Sequence, residues 1–301
     1  MPRTLRWKLL LSILPFVALT GSLLCRHQYL LAKAEILRAI EASARALSER
    51  TAADLDRLLE QRRNDLFTLT ESSLIRDYYR TVDFQLLNEA EDNRRELEAA
   101  LASFSRRTGV YARIRYLDFS GRAVCMIPRG PGARPPEPAP EIFAQLRRAA
   151  AGAWLSGTPK DGTIDYGKAV HDEDGRFKGA LVLSYDLAQI RDILSAIRVG
   201  RSGGARLQDA AGRVILEGRS FPPGKDILSA EAGLTRLPWK VVVEAPLEEF
   251  LAPLRKVRDA GIAAAAAAVA GLIGLILLAV SSATRPVGAL VEAVRRISAG
   301  G

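Results

Sequence analysis

The chemistry-bearing residues of this 301-residue sequence do not assemble into a catalytic set. There is no Gly-x-x-x-x-Gly-Lys-Ser/Thr phosphate loop. Two histidines and two cysteines are too few, and too scattered, for metal-ligand spacing. Gly200-Arg201-Ser202-Gly203-Gly204 reads as a flexible turn. What remains is recognition chemistry. Arg113 and Arg115 are two apart, so on a strand they share a face. Tyr166 and Lys168 share a face of another strand-like run. Trp154, Ser156 and Asp186 fall at or near strand ends. A guanidinium can fork onto a carboxylate through two parallel N–H bonds.

These residues lie in the polar middle of a chain with apolar ends. Hydrophobic residues make up 48% and charged residues 26%, which excludes a disordered chain. The net charge of +9 would suit nucleic acid, but no basic patch is interleaved with aromatics. Leu9 to Cys25 is 17 residues without a charge, roughly 26 Å of helix at about 1.5 Å per residue. Trp7 and Lys8 extend it at the interface, and Arg3, Arg6 and Lys8 hold the N-terminus in the cytoplasm. No small-x-small cleavage site precedes Arg26, so the segment reads as an uncleaved anchor. Ala260 to Ala283 is a second uncharged stretch, flanked by Arg255, Lys256 and Arg258 on one side and Arg285 on the other. Its alanines and Gly261, Gly271 and Gly274 let a neighbouring helix approach closely. Two spans place residues 27–258 outside the cytoplasm, which in a bacterial inner membrane means the periplasm, and the tail inside. His27 then lies at the membrane surface and His171 beside a turn, neither in the context of a phospho-acceptor.

The elements between the spans follow from periodicity. Residues 30–79 carry helical stripes, Ile36, Ile40 and Leu47, then Leu55, Leu58, Leu59, Leu66 and Leu69. These suit core packing, and the first helix also suits pairing with a second copy of itself. Leu86 to Arg107 is a further helix that Gly109 stops. From Val110 the period becomes two: Val110, Ala112, Ile114 and Tyr116 alternate with Tyr111, Arg113 and Arg115. Six prolines between residues 128 and 140 mark a surface loop, before a short helix at 141–151. Strands are expected at 152–156, 163–170, 178–185, 205–208, 214–216 and 233–245, with a helix at 188–197. Asp-x-x-Gly-Arg occurs three times, at Asp118, Asp172 and Asp209, each time before a strand-like run. Asp can bond the turning backbone and Gly accepts positive φ. The fold class is α+β: a two-span membrane protein with a long N-terminal helix and two antiparallel-sheet modules.

Three stretches carry a family resemblance. They are Ile114-Arg115-Tyr116-Leu117-Asp118 with Gly121-Arg122, Ala169-Val170 through Asp174-Gly175 to Gly179–Leu183, and Leu237-Pro238-Trp239 through Pro246. Their order between two spans resembles the double Cache (PAS-like) extracytoplasmic domains of bacterial sensor kinases, chemoreceptors and diguanylate cyclases. The resemblance implies a start and first span at 1–26, a helical stalk at 27–108, and a membrane-distal module at 109–195. A membrane-proximal module at 196–259 and a second span at 260–284 follow. Arg285-Pro286-Val287 with Leu290, Val294 and Ile297 then resembles the first helix of a HAMP linker at 285–301, truncated before its second helix. The 3-4-3 spacing is that of a coiled-coil seam and equally of a surface amphipathic helix.

The resemblance puts a small-molecule pocket in the distal module. There Arg113, Arg115, Trp154, Ser156, Tyr166, Lys168 and Asp186 would grip an anion such as a carboxylate. Solvent-facing arginines and a core Trp154 would give the same sequence. The amino-acid-binding subfamily carries Arg-x-Trp-Tyr. This chain has no Trp-Tyr pair, and only Asp186 overlays that subfamily's acidic residue. The expected protein is thus the sensory half of a homodimeric receptor with no cofactor, metal or nucleic-acid partner. Any kinase or cyclase domain would follow residue 301. Its rivals are a tethered periplasmic enzyme and a membrane-anchored adaptor without a small-molecule ligand.

Overall fold

Proline is absent between Pro15 and Pro128, so no residue there lacks a backbone donor for a helix. The computed structural model describes residues 2–128, 140–150, 154–156, 159, 162–219 and 226–298. It gives the backbone alone for 2–15, 17–18, 140, 154–156, 276–277 and 279–298. A single helix, α1, runs Pro2–Thr70. Where one helix to residue 79 was expected, the chain breaks at Glu71-Ser72. Thr70 Oγ1 bonds back to the carbonyls of Leu66 and Phe67, and Ser72 Oγ accepts the Leu74 N–H at 3.3 Å to cap a new helix. That helix, α2, spans Ser73–Asp83. Gln85, at φ 57°, turns the chain into α3, Leu87–Thr108. Gly109 closes α3 in the left-handed conformation, its N–H on Ser105 O.

Two antiparallel sheets follow. The first joins β1 (Tyr111–Asp118), β2 (Ala123–Pro128), β3 (Trp154–Ser156), β4 (Thr163–His171) and β5 (Phe177–Asp186) in the order β2-β1-β5-β4-β3. Helix α4 (Pro140–Arg148) lies between β2 and β3 in the chain, and α5 (Ala188–Ala196) follows β5. Most of the proline-rich loop, residues 129–139, lies outside the described residues, as do 151–153. The second sheet joins β6 (Gly204–Asp209), β7 (Val214–Glu217), β8 (Ile227–Gly233) and β9 (Trp239–Pro246) in the order β7-β6-β9-β8. The strand expected over 233–245 starts only at Trp239. Ile227–Gly233 is a separate edge strand, mostly exposed and so without a clear apolar alternation.

The three Asp-x-x-Gly-Arg segments are the hairpin turns β1–β2, β4–β5 and β6–β7. Gly121, Gly175 and Gly212 have φ of 88°, 78° and 79°. Each Asp Oδ1 accepts the N–H of the residue two on and of the Arg four on. At Asp172 and Asp209 burial alone would raise the carboxyl pKa. The N–H of Arg176 or Arg213 and the neighbouring Lys178 or Arg213 cation outweigh it, and both lie below the usual value.

Residues 44–223 with 229–244 form one compact unit. The chain ends, with 224–228, form another. In this second unit α6 (Leu247–Ser298) begins where Leu247 N–H meets Asp226 O. Arg258 lies 5.9 Å from the Tyr29 ring, and a Cβ on Gly261 would meet Cys25 Sγ at 3.7 Å, an ordinary contact distance. Leu247–Leu275 is long and apolar enough to cross a membrane, and none of its apolar window is buried. It is the one candidate span among the described residues, so the fold has one such helix in view where two were expected.

Candidate functional site

Strand register sorts the residues of the first sheet onto two faces. Arg115 pairs with Val182, and Gly167 pairs with the same Val182; one step along, Arg113 and Asp165 both pair with Ser184. Directly paired residues share a face. This face carries α4: Leu117, Ala180 and Val182 pack with Leu146, Ile142 and Phe143. Gly167 makes room there for Leu146, whose side chain would have to shift for a Cβ standing 2.6 Å from its Cδ1. The opposite face carries α1 to α3. Tyr116 meets Tyr78 edge to face at 5.9 Å, and the Phe67 ring lies 4.0 Å from Lys168 Nζ.

The expected alternation in β1 fails at its start. A register shift between Tyr111 and Arg113 turns Tyr111 to the helical face. There its hydroxyl donates to Asp65 Oδ2 at 2.5 Å and its ring stacks on Phe104 at 5.8 Å. Burial, then the bond to Asp65, hold its pKa well above the ordinary tyrosine value. Past the shift, Arg113 and Arg115 both face α4.

At the α4 face Arg115 is 4% exposed. Its Nη2 donates to Asp165 Oδ2 at 3.2 Å, and Asp165 Oδ1 accepts the Ser184 hydroxyl at 2.5 Å. Arg115 Nε is buried without a hydrogen-bond partner. Burial lowers the Arg115 pKa, Asp165 opposes that, and the like charge of Arg113 adds to it. The guanidinium still stays protonated. Two cations thus face one carboxylate, whose second oxygen is taken by a hydroxyl. The arrangement can receive one more negative group. Asp165 and Ser184 were not anticipated, although Asp165 is the sole acid in the run Thr163–His171.

The remaining predicted residues stand elsewhere. Tyr166 and Lys168 lie on the helical face, and in backbone register Trp154 pairs with Lys168 and Ser156 with Tyr166. The predicted set is therefore divided by the sheet. Asp186 ends β5 and accepts the N–H of Ala188, the first residue of α5, at 2.9 Å. Pro286, Val287, Leu290, Val294 and Ile297 lie in α6, and Gly300 and Gly301 lie outside the described residues.

Two motif-like spacings take no catalytic geometry. Gly200-x-Ser202-x-Gly204 matches a nucleophile-elbow spacing, but it is a loop closed by a Val199–Gly203 bridge that leads into β6, not into a helix. Gly162-x-x-x-x-Gly167-Lys168 runs along β4, with Ala169 where a phosphate loop has Ser or Thr. Among the described residues no group of three His, Cys, Asp or Glu could hold a metal ion.

Residues 31–254 match the family model of the Cache domain. No curated protein matches the sequence. Among solved structures, the domain of a sensory box/GGDEF family protein from Vibrio parahaemolyticus aligns at 15% identity and TM-score 0.52. That alignment covers 71% of this chain and 99% of the other. The ligand-binding domain of the Pseudomonas fluorescens chemoreceptor CtaA, in complex with L-isoleucine, aligns at 13% identity and TM-score 0.50, covering 73% and 98%. That of the Pseudomonas aeruginosa amino acid chemoreceptor PctC, in complex with GABA, aligns at 16% identity and TM-score 0.50, covering 68% and 99%. At these identities the likeness is one of fold.

Proposed function

The chain belongs to the Cache domain family, and on that premise we propose that it is the extracytoplasmic sensing region of a bacterial transmembrane receptor. Its ligand is a small carboxylate, held on the α4 face of the first sheet by Arg113 and Arg115. The observation that carries this reading is Arg115, whose Nε is buried without a partner beside a second cation. An ionised group left short of hydrogen bonds in the interior is costly unless something completes it. L-isoleucine and GABA, bound in two of the similar structures, each carry a carboxylate. The missing Trp-Tyr pair argues against an amino acid.

In this reading both chain ends cross the inner membrane, Leu9–Cys25 as well as Ala260–Ala283, and residues 27–258 are periplasmic. The protein is a parallel homodimer. Capture of the ligand shifts the helices at the membrane by about 1–2 Å, and the HAMP-like segment relays the shift. A micromolar ligand releases roughly 8 kcal/mol, more than the ~5.5 kcal/mol that moves a switch from 1:99 to 99:1.

The test is a thermal-shift screen of the detergent-solubilised chain against small carboxylates, amines and sugars. A carboxylate at about 100 times its Kd should stabilise by about 2.7 kcal/mol. Arg115→Met and Arg113→Ala should each abolish the shift. Stabilisation by amines or sugars alone would overturn the anion assignment. No stabilisation by any compound would favour a membrane-anchored adaptor.

A further inference from the structure

A cavity of ≈ 710 Å³ opens where the first sheet hands the chain on to the second, inside the compact unit of residues 44–223 and 229–244. That size suits a small organic ligand. Leu187, Leu216, Leu237 and Trp239 line it and are buried. Val214 also lines it and is 45% exposed, a large apolar side chain left to water. Three charged residues complete the lining. Asp209 and Arg213 neutralise each other at 2.7 Å, and the turn N–H groups take Asp209 as well. Arg191, on α5, is exposed, and its guanidinium has no ion pair or hydrogen bond among the described residues. It follows Leu187 by four residues, so cation and apolar lining share one side of the helix. The cavity thus presents apolar surface with one uncompensated positive charge.

We infer that this cavity is a second ligand site, distinct from the Arg115 face, for a molecule with an apolar body and one carboxylate, such as an arylacetate. The carboxylate accepts from the Arg191 guanidinium, and the apolar body covers Val214 and the Trp239 side of the cavity. Gly162, just before β4, lines the same cavity, and its carbonyl accepts the Leu187 N–H at 2.9 Å. Asp165 follows three residues along that strand. Occupation therefore clamps the starts of β4 and α5 against the β6–β7 turn, and ties this ligand to the strand that carries the partner of Arg115.

Phenylacetate is the probe, added to the full chain in detergent at constant pH and ionic strength, with phenylacetamide and acetate as controls. The chain has three tryptophans, so fluorotryptophan labelling gives three fluorine NMR signals, with Trp239→Phe and Trp7→Phe to assign two of them. Phenylacetate should move the Trp239 signal saturably and leave Trp7, the reporter of uptake into detergent, in place. Arg191→Ala should weaken binding about tenfold, the worth of roughly one charge-assisted hydrogen bond. Arg191 is exposed, so that variant keeps the fold, which an unchanged far-UV spectrum verifies. Phenylacetamide and acetate should each bind more weakly by a similar factor. A Trp239 signal that stays still, or moves only together with Trp7, would overturn the proposal. So would undiminished binding in Arg191→Ala, or phenylacetamide binding as tightly as phenylacetate. Movement of Trp239 should persist in Arg115→Met, and its loss there would mean a single shared site. Carboxylate binding at Arg115 stands or falls separately, by the thermal-shift screen.

Discussion

Asp165 stands between Arg115 and Ser184, accepting from the guanidinium at 3.2 Å and from the hydroxyl at 2.5 Å. Removing one member of a buried ion pair leaves the other charge uncompensated. Asp165→Asn should therefore cost about 3 kcal/mol. Replacing both charges removes that penalty, so Arg115→Met combined with Asp165→Asn should be more stable than Asp165→Asn alone. Thermal unfolding of the parent chain and the two variants in detergent, followed by circular dichroism, measures this. A double variant no better than the single would mean that Asp165 contributes through packing rather than charge.

Tyr111 ties the sheet to the long helix. Its hydroxyl donates to Asp65, and Asp65 also lies 3.5 Å from Arg62. Arg62 in turn stacks 5.7 Å from the rings of both Tyr111 and Tyr185. Tyr111→Phe removes one hydrogen bond to a charged acceptor while the aromatic contacts stay. The expected loss is about 1.5 kcal/mol. Because Tyr111 lies on the helical face, carboxylate affinity at the α4 face should hold within a factor of two or so, which titration calorimetry can read.

The helices, the hairpins and their order were legible because each rests on a local signal. The three Asp-x-x-Gly-Arg turns carry their own hydrogen bonds, and the heptad-like stripes of α1 need no tertiary partner to be seen. The faces of the first sheet were not legible in the same way. One extra residue between Tyr111 and Arg113 reverses which side chains meet the helices, and nothing local announces it. The predicted binding set mixed two faces for a related reason. Arg115 and Lys168 belong to different strands, and only the β1–β5–β4 register shows that they point to opposite sides. Asp165 was missed because an acid in a strand reads as solvent-facing until Ser184 and Arg115 are placed beside it. Ile227–Gly233 was missed because an exposed edge strand has no apolar period to read.

Acid should loosen the hairpins before it unfolds the helices. Asp172 and Asp209 have folded-state pKa values below those of the unfolded chain. Their contribution is complete above the unfolded value near 4 and is lost as pH falls through the folded value. Thermal stability should decline with acidification in that window. Asp172→Asn keeps an acceptor for the turn N–H groups and gives up the Lys178 ion pair. It should be less stable at pH 7 and show a shallower decline below pH ~4. An equal slope in both proteins would show that other carboxylates set the acid limit.

Cys125 is a poor reporter of membrane topology, for a reason the fold supplies. It is 2% exposed, and burial, then the charge of Glu98, push its thiol pKa up to about 11. The thiolate is the reactive form, so at pH 8 Cys125 should resist maleimide in intact cells and after lysis alike, reacting only on denaturation. Phe119, at the tip of the β1–β2 turn, is 58% exposed and offers a better position. In a chain carrying Cys25→Ser, Phe119→Cys should be labelled by a membrane-impermeant maleimide in intact spheroplasts. Two crossings of the membrane require that result, because only then do residues 27–258 face outward. Protection of Phe119→Cys until lysis would place the sheet modules inside the cell and remove the basis for an extracytoplasmic sensor.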